Sequence, residues 1–133
     1  MIPDWTKKFI GIEYKDRASG FNGADCMGVF RLIKKAQEDI EIPDYWYESS
    51  DDIESITETV RSEQDGNKWM KLDKPENGCL VLLNIAGHSV HCSYCLDAKS
   101  GDMIHSLRNQ NSSLGNFKSN RWRDRVSGFY RYI

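Results

Sequence analysis

Phe21-Asn22-Gly23-Ala24-Asp25-Cys26, continuing through Met27-Gly28-Val29-Phe30, is the stretch from which the architecture of this chain is read. Downstream of it, Val29, Phe30, Ile33, Ala36 and Ile40 recur at spacings of one, three and four residues. That period lines one face of a helix, so a helix is predicted over residues 26–40. Gly23 and Asp25 precede it as turn and N-cap, which puts Cys26 in the first helical turn. A thiol is a good nucleophile only as thiolate, and the unpaired N–H groups and positive dipole end of a helix start favour that form. Cys26 is therefore the candidate nucleophile. The plainer alternative is a small buried residue at a helix start, a common place for cysteine.

Beyond this helix, Pro43 is expected to stop the chain's helical course. A loop with Tyr45, Trp46 and Tyr47 leads to a second helix predicted over residues 50–63, with Ser49 and Asp52 in capping-box spacing and Ile53, Ile56 and Val60 facing the core. Pro75 and Gly78 then mark a change of pattern. Four strands follow, predicted over residues 79–84, 90–97, 103–107 and 126–133. Turns at Ala86-Gly87 and Ser100-Gly101-Asp102 suit antiparallel hairpins, and residues 108–124 read as a long, polar, partly irregular loop. Helices first and a meander of strands after them make an α+β domain, with helices packed on one side of an antiparallel sheet.

At 133 residues the chain is read as a single domain over residues 1–133. With 39% apolar and 29% charged residues it has the balance of a globular protein, and no apolar run approaches a bilayer span, so membrane insertion is not expected. A formal net charge of -2 offers no general attraction for nucleic acid. Residues 1–8 carry charges where an export signal needs its apolar run, so the expectation is a chain left in the cytoplasm at synthesis, with Cys26, Cys79, Cys92 and Cys95 all reduced.

A cysteine nucleophile requires a base, and the only histidines are His88, His91 and His105. Side chains alternate along a strand, so His91, Ser93 and Cys95 share one face while Cys92, Tyr94 and Leu96 share the other. If this strand pairs with the next through the turn near Gly101, His91 and His105 become cross-strand neighbours. One would act as base and the other would orient its ring, the logic of a catalytic triad. His88 is placed in the turn and given no role. A pair of half-buried histidines without a catalytic task is the reading to beat.

Taken together, these segments resemble the NlpC family of papain-like cell-wall peptidases, in particular its phage-tail-associated branch. Tyr14 followed by Phe21-Asn22-Gly23-Ala24-Asp25-Cys26 is similar to that family's tyrosine and glycine-rich turn ending in Asp-Cys at a helix start. Pro75 and Gly78, then His91-Cys92-Ser93-Tyr94-Cys95-Leu96, then Gly101-Asp102-Met103-Ile104-His105 are similar to its later motifs. Ile42-Pro43-Asp44-Tyr45 and Gly128-Phe129-Tyr130-Arg131-Tyr132 resemble the tail-associated members. Met27, Cys79 and Ser93 depart from the family's usual residues without removing a group the mechanism needs.

The resemblance implies a cysteine endopeptidase in which Cys26 attacks a peptide carbonyl, His91 moves the proton and His105 holds the tautomer. It implies that Tyr14 and Asp25 stand at the oxyanion and substrate-binding side, and that no metal or organic cofactor takes part. The implied substrate and partners are the peptide stem of bacterial peptidoglycan and phage tail proteins, a virion tail delivering the chain to the cell wall. Two other readings compete. One is an inactive structural tail component of the same fold. The other is a zinc site built from His88, His91, Cys92 and Cys95, which strand parity opposes by turning Cys92 and Cys95 to opposite faces. Arg121, Arg123 and Arg125 are read as surface charge around one anchoring aromatic, Trp122.

Overall fold

The computed structural model describes residues 2–43, 69–85, 88–107 and 110–132. The predicted second helix, with Ser49, Asp52, Ile53, Ile56 and Val60, lies outside the described residues, as do the loop aromatics Tyr45 to Tyr47 and the Ala86-Gly87 turn.

The chain opens with a 3₁₀ helix, Asp4–Phe9, that buries Thr6 and Phe9. A small hairpin follows, β1 (Ser19–Gly20) against β2 (Gly23–Ala24), with Phe21 and Asn22 at its turn. Gly23 thus belongs to a strand and not to the predicted turn. The helix α1 (Cys26–Glu38) starts where the sequence places it, on Asp25 as N-cap. It ends two residues before the predicted limit and well ahead of Pro43. Asp39 takes the left-handed conformation (φ 53°) and the Ile40 N–H reaches back to the Lys34 carbonyl. Aspartate tolerates that conformation better than most residues, so the stop is made locally.

Six antiparallel strands form the sheet, in the order β3 (Trp69–Leu72), β8 (Val126–Tyr132), β4 (Leu80–Ile85), β5 (His88–Asp97), β6 (Asp102–His105) and β7 (Ser113–Asn116). The four predicted strands are present. His88 opens β5 and is not in the turn. The predicted loop over residues 108–124 is corrected in part: β7 pairs with β6, and Phe117 and Trp122 are buried. Ser-Leu-Gly-Asn has no strand-like alternation, so only the edge of β6 makes it a strand. β3 is likewise too short to announce itself and exists by pairing with β8.

The two faces of the sheet have different covers. Leu80, Leu82, Cys92, Tyr94 and Ile104 pack with Met27, Val29, Phe30 and Ile33 of α1. Cys79, Val81, Leu83, Cys95 and Met103 pack with Phe117 and Trp122 from the segment between β7 and β8. The parity predicted for β5 therefore holds, with Cys92 and Cys95 in different cores. Truncating Phe30 or Ile33, each nearly fully buried, would cost about 2–5 kcal/mol.

Candidate active site

The start of α1 is held from two sides. Asp25 is fully buried; Oδ1 accepts from the Gly28 N–H at 2.8 Å and Oδ2 from the Arg17 N–H at 2.7 Å. Asp25 therefore ties the helix start to the segment leading into β1, and its geometry is that of a cap. Gly28 completes the fit: a Cβ there would stand 1.8 Å from the Ala18 carbonyl oxygen, so only glycine lets α1 approach the strand lead-in this closely. The result is a fixed position for Cys26, which is 2% exposed.

The Cys26 thiol meets Cys92 of β5. Cys92 is fully buried, and its pKa is raised by the interaction with Cys26 first and by burial second, so it remains a thiol. Tyr14 is half-buried nearby; burial, then the charges of Cys26 and Asp16, push its pKa up and keep the phenol protonated. Its O–H donates to the Asp16 carboxylate at 3.1 Å.

His91 follows a break in β5. Leu83 faces His91 but Asn84 faces Ser89, so one residue of β5 is unmatched next to the histidine. Such a bulge re-aims the neighbouring side chain. His105 stands directly opposite Ser93, one pleat away from His91, and the diagonal is bridged by the rings: His91 Nε2 to His105 Nδ1 is 2.8 Å. Burial first, then His105 and Arg121, push the His91 pKa down to about 3. Burial and then Arg121 push that of His105 down to about 4. Both rings are neutral at pH 7. A neutral imidazole carries one N–H, so if His91 donates from Nε2, its Nδ1 holds the lone pair.

The structure thus joins His91 to His105 and Cys26 to Cys92. Among the described residues Cys26 and His91, which precedes Cys92 in the chain, share no hydrogen bond. Beside the pair, the Ser93 hydroxyl is buried without a hydrogen-bond partner among the described residues. β7 passes so close to His105 that a Cβ at Gly115 would lie 2.8 Å from its Nε2. Trp122 covers the pair, stacked on His91 (centroids 5.6 Å apart, 24° between planes) and edge-on to His105 (5.7 Å, 80°). The sequence shows Trp122 only as an aromatic among arginines; its interlayer place depends on a chain path no local pattern reveals.

The other two cysteines form a separate pair on the face away from α1. Cys95 donates its N–H to the Cys79 carbonyl at 3.0 Å. The interaction of the two thiols raises the Cys95 pKa and lowers that of Cys79. No three His, Cys, Asp or Glu side chains are grouped to hold a metal ion among the described residues.

A buried helix-start cysteine on a strand-borne histidine sheet is the framework of a papain-like α+β fold. The chain belongs to the NlpC/P60 family, whose sequence model matches residues 11–131. In fold it is similar to the NlpC/p60 domain of the peptidoglycan hydrolase SagA, with 19% identity, a TM-score of 0.61, and 96% of this chain and 92% of that one covered. It is similar also to an NlpC/P60 family protein from Bacillus cereus (19% identity, TM-score 0.65, 100% of this chain and 41% of that one). NlpC2 from Trichomonas vaginalis is a third (17%, TM-score 0.66, 97% and 45%). This chain therefore spans less than half the length of the last two. No curated protein matches it in sequence.

Proposed function

We propose that this chain is a cysteine endopeptidase that hydrolyses an amide bond in the peptide stem of bacterial peptidoglycan. The observation that carries this reading is the 2.8 Å contact between His91 Nε2 and His105 Nδ1, in a member of the NlpC/P60 family. On this reading His91 donates from Nε2, and its Nδ1 serves as base. In the proposed reaction the Cys26 sulfur attacks the carbonyl carbon while its proton passes to His91 Nδ1. The backbone N–H of Cys26 and the Tyr14 hydroxyl stabilise the developing oxyanion. His91 returns the proton to the departing amine, leaving a thioester on Cys26. Water, deprotonated by His91, then releases the acid and restores the thiol. His105 accepts from His91 Nε2 throughout and holds the tautomer. Asp25 serves by fixing the helix start rather than by touching substrate.

Delivery by a phage tail is a further part of the proposal, supported by the resemblance of Ile42-Pro43-Asp44-Tyr45 and Gly128-Phe129-Tyr130-Arg131-Tyr132 to tail-associated members. Antibody detection in purified virions tests it.

Digestion of purified sacculi by the wild type and by Cys26→Ser, with mass spectrometry of the released fragments, tests the activity. Stem-peptide fragments from the wild type alone are expected. A folded wild type that releases nothing, or an equally active Cys26→Ser, overturns the reading.

A further inference from the structure

We propose that Trp122 is a positioning residue for the histidine pair, its indole holding the His91 ring in plane and shielding the His91–His105 hydrogen bond from water. The proposal rests on the peptidase reading only for its kinetic consequence. Its geometric basis is independent of that reading.

Trp122 is 3% exposed although it sits in a polar stretch between Arg121 and Arg123. A buried aromatic in such a stretch needs partners, and here it packs in the apolar cluster under the sheet with its ring against the two imidazoles. Near-parallel stacking fixes the ring plane of His91, and the edge contact fixes that of His105. Together they leave the Nε2···Nδ1 line little freedom. The guanidiniums of Arg121 and Arg125 lie 4.9 Å and 5.9 Å from the indole centroid, where cation–π attraction holds the indole in turn. Among the described residues, Arg121 is the charged side chain that acts on both histidines, Arg125 lies against the indole, and Cys95 shares the His91 face of β5. Arg121 opposes protonation of both histidines. Indole and guanidinium therefore act together: one excludes water and the other disfavours imidazolium, so His91 rests as a neutral base with a defined tautomer.

The test is NMR of labelled histidine side chains across pH in the full chain, for the wild type, Trp122→Phe, Trp122→Ala and Trp122→Leu. The leucine variant keeps apolar volume should the alanine variant not fold. The wild type and Trp122→Phe are expected to show a slowly exchanging imidazole N–H resonance and titration well below the ordinary histidine range. Trp122→Ala and Trp122→Leu are expected to lose that resonance and to titrate higher by about one unit. In sacculus digestion their kcat should fall about tenfold or more with KM little changed, and the acid limb should rise with the histidine pKa. A folded Trp122→Ala or Trp122→Leu that keeps the N–H resonance and the wild-type pH profile overturns the proposal. If resonance and titration move while the wild type itself cuts no sacculi, the positioning role stands and the peptidase reading fails.

Discussion

His91 and His105 meet on a diagonal of the sheet, Nε2 to Nδ1 at 2.8 Å, although the residue directly opposite His105 is Ser93. A direct pair would leave the rings side by side. The diagonal, with the irregularity in β5 next to His91, points one ring nitrogen at the other. In the proposed mechanism His91 is the base and His105 its orienter, and on that reading the variants should behave unequally. Cys26→Ala and His91→Ala are expected to abolish hydrolysis with native circular dichroism retained. His105→Ala should keep a measurable fraction, because water or a neighbour partly replaces an orienter and cannot replace a nucleophile. Equal losses in all three, measured by fragment release, would contradict this assignment.

Burial of neutral histidines makes stability depend on pH. An unfolded histidine titrates near 6.5, whereas His91 and His105 are pushed down to about 3 and about 4. Between those values the unfolded chain binds more protons than the folded one, so stability rises with pH there. The contribution is fully present above about pH 6.5 and is lost as pH falls toward 4 and below. Glu76, held down by its bonds to Arg131, and Asp97, held down by the Ser100 and Lys99 N–H groups, act only below the ordinary carboxylate range. Thermal unfolding followed from about pH 7 to pH 4.5 should show Tm falling for the wild type and falling less steeply for His105→Asn. Parallel curves would mean the pair is not the titrating element.

Gly28→Ala should be among the most damaging single-methyl additions. The new Cβ would stand 1.8 Å from the Ala18 carbonyl oxygen, 2.9 Å from its carbon and 3.1 Å from Asp25 Oδ1. Backbone cannot rotate away as a side chain can, so α1 must shift and the Asp25 cap must loosen. A loss of about 2–4 kcal/mol in urea unfolding is expected, with impaired hydrolysis because Cys26 moves with the helix. A stability within error of the wild type would show that α1 and the segment before β1 can part without cost.

Ser93→Ala should stabilise. Its buried hydroxyl has no hydrogen-bond partner among the described residues, and removing such a group recovers about 1 kcal/mol of desolvation cost. Ser93→Gly gains the same and gives back about 0.5–1 kcal/mol through the flexibility of a strand glycine. Urea unfolding that ranks alanine below serine would mean the hydroxyl has an unrecognised partner.

What the residues alone determined follows from short-range physics. The spacing of Val29, Phe30 and Ile33 and the cap at Asp25 set α1 and the place of Cys26; alternation through His91 to Leu96 set the two faces of β5, with the Gly101 turn bringing His105 to the next strand. Each is a local period or a short loop, legible because the partners lie within a few residues or one hairpin. Tertiary structure decided the rest. It made strands of Trp69–Leu72 and Ser113–Asn116, whose own patterns are weak, by giving them the edges of β8 and β6. It brought the Cys26 thiol to Cys92, sixty-six positions away in the chain numbering, and laid Trp122, from the segment between β7 and β8, on a histidine pair from two strands. Contacts between residues so distant in sequence arise from the packing of whole elements, which no local pattern of side chains encodes.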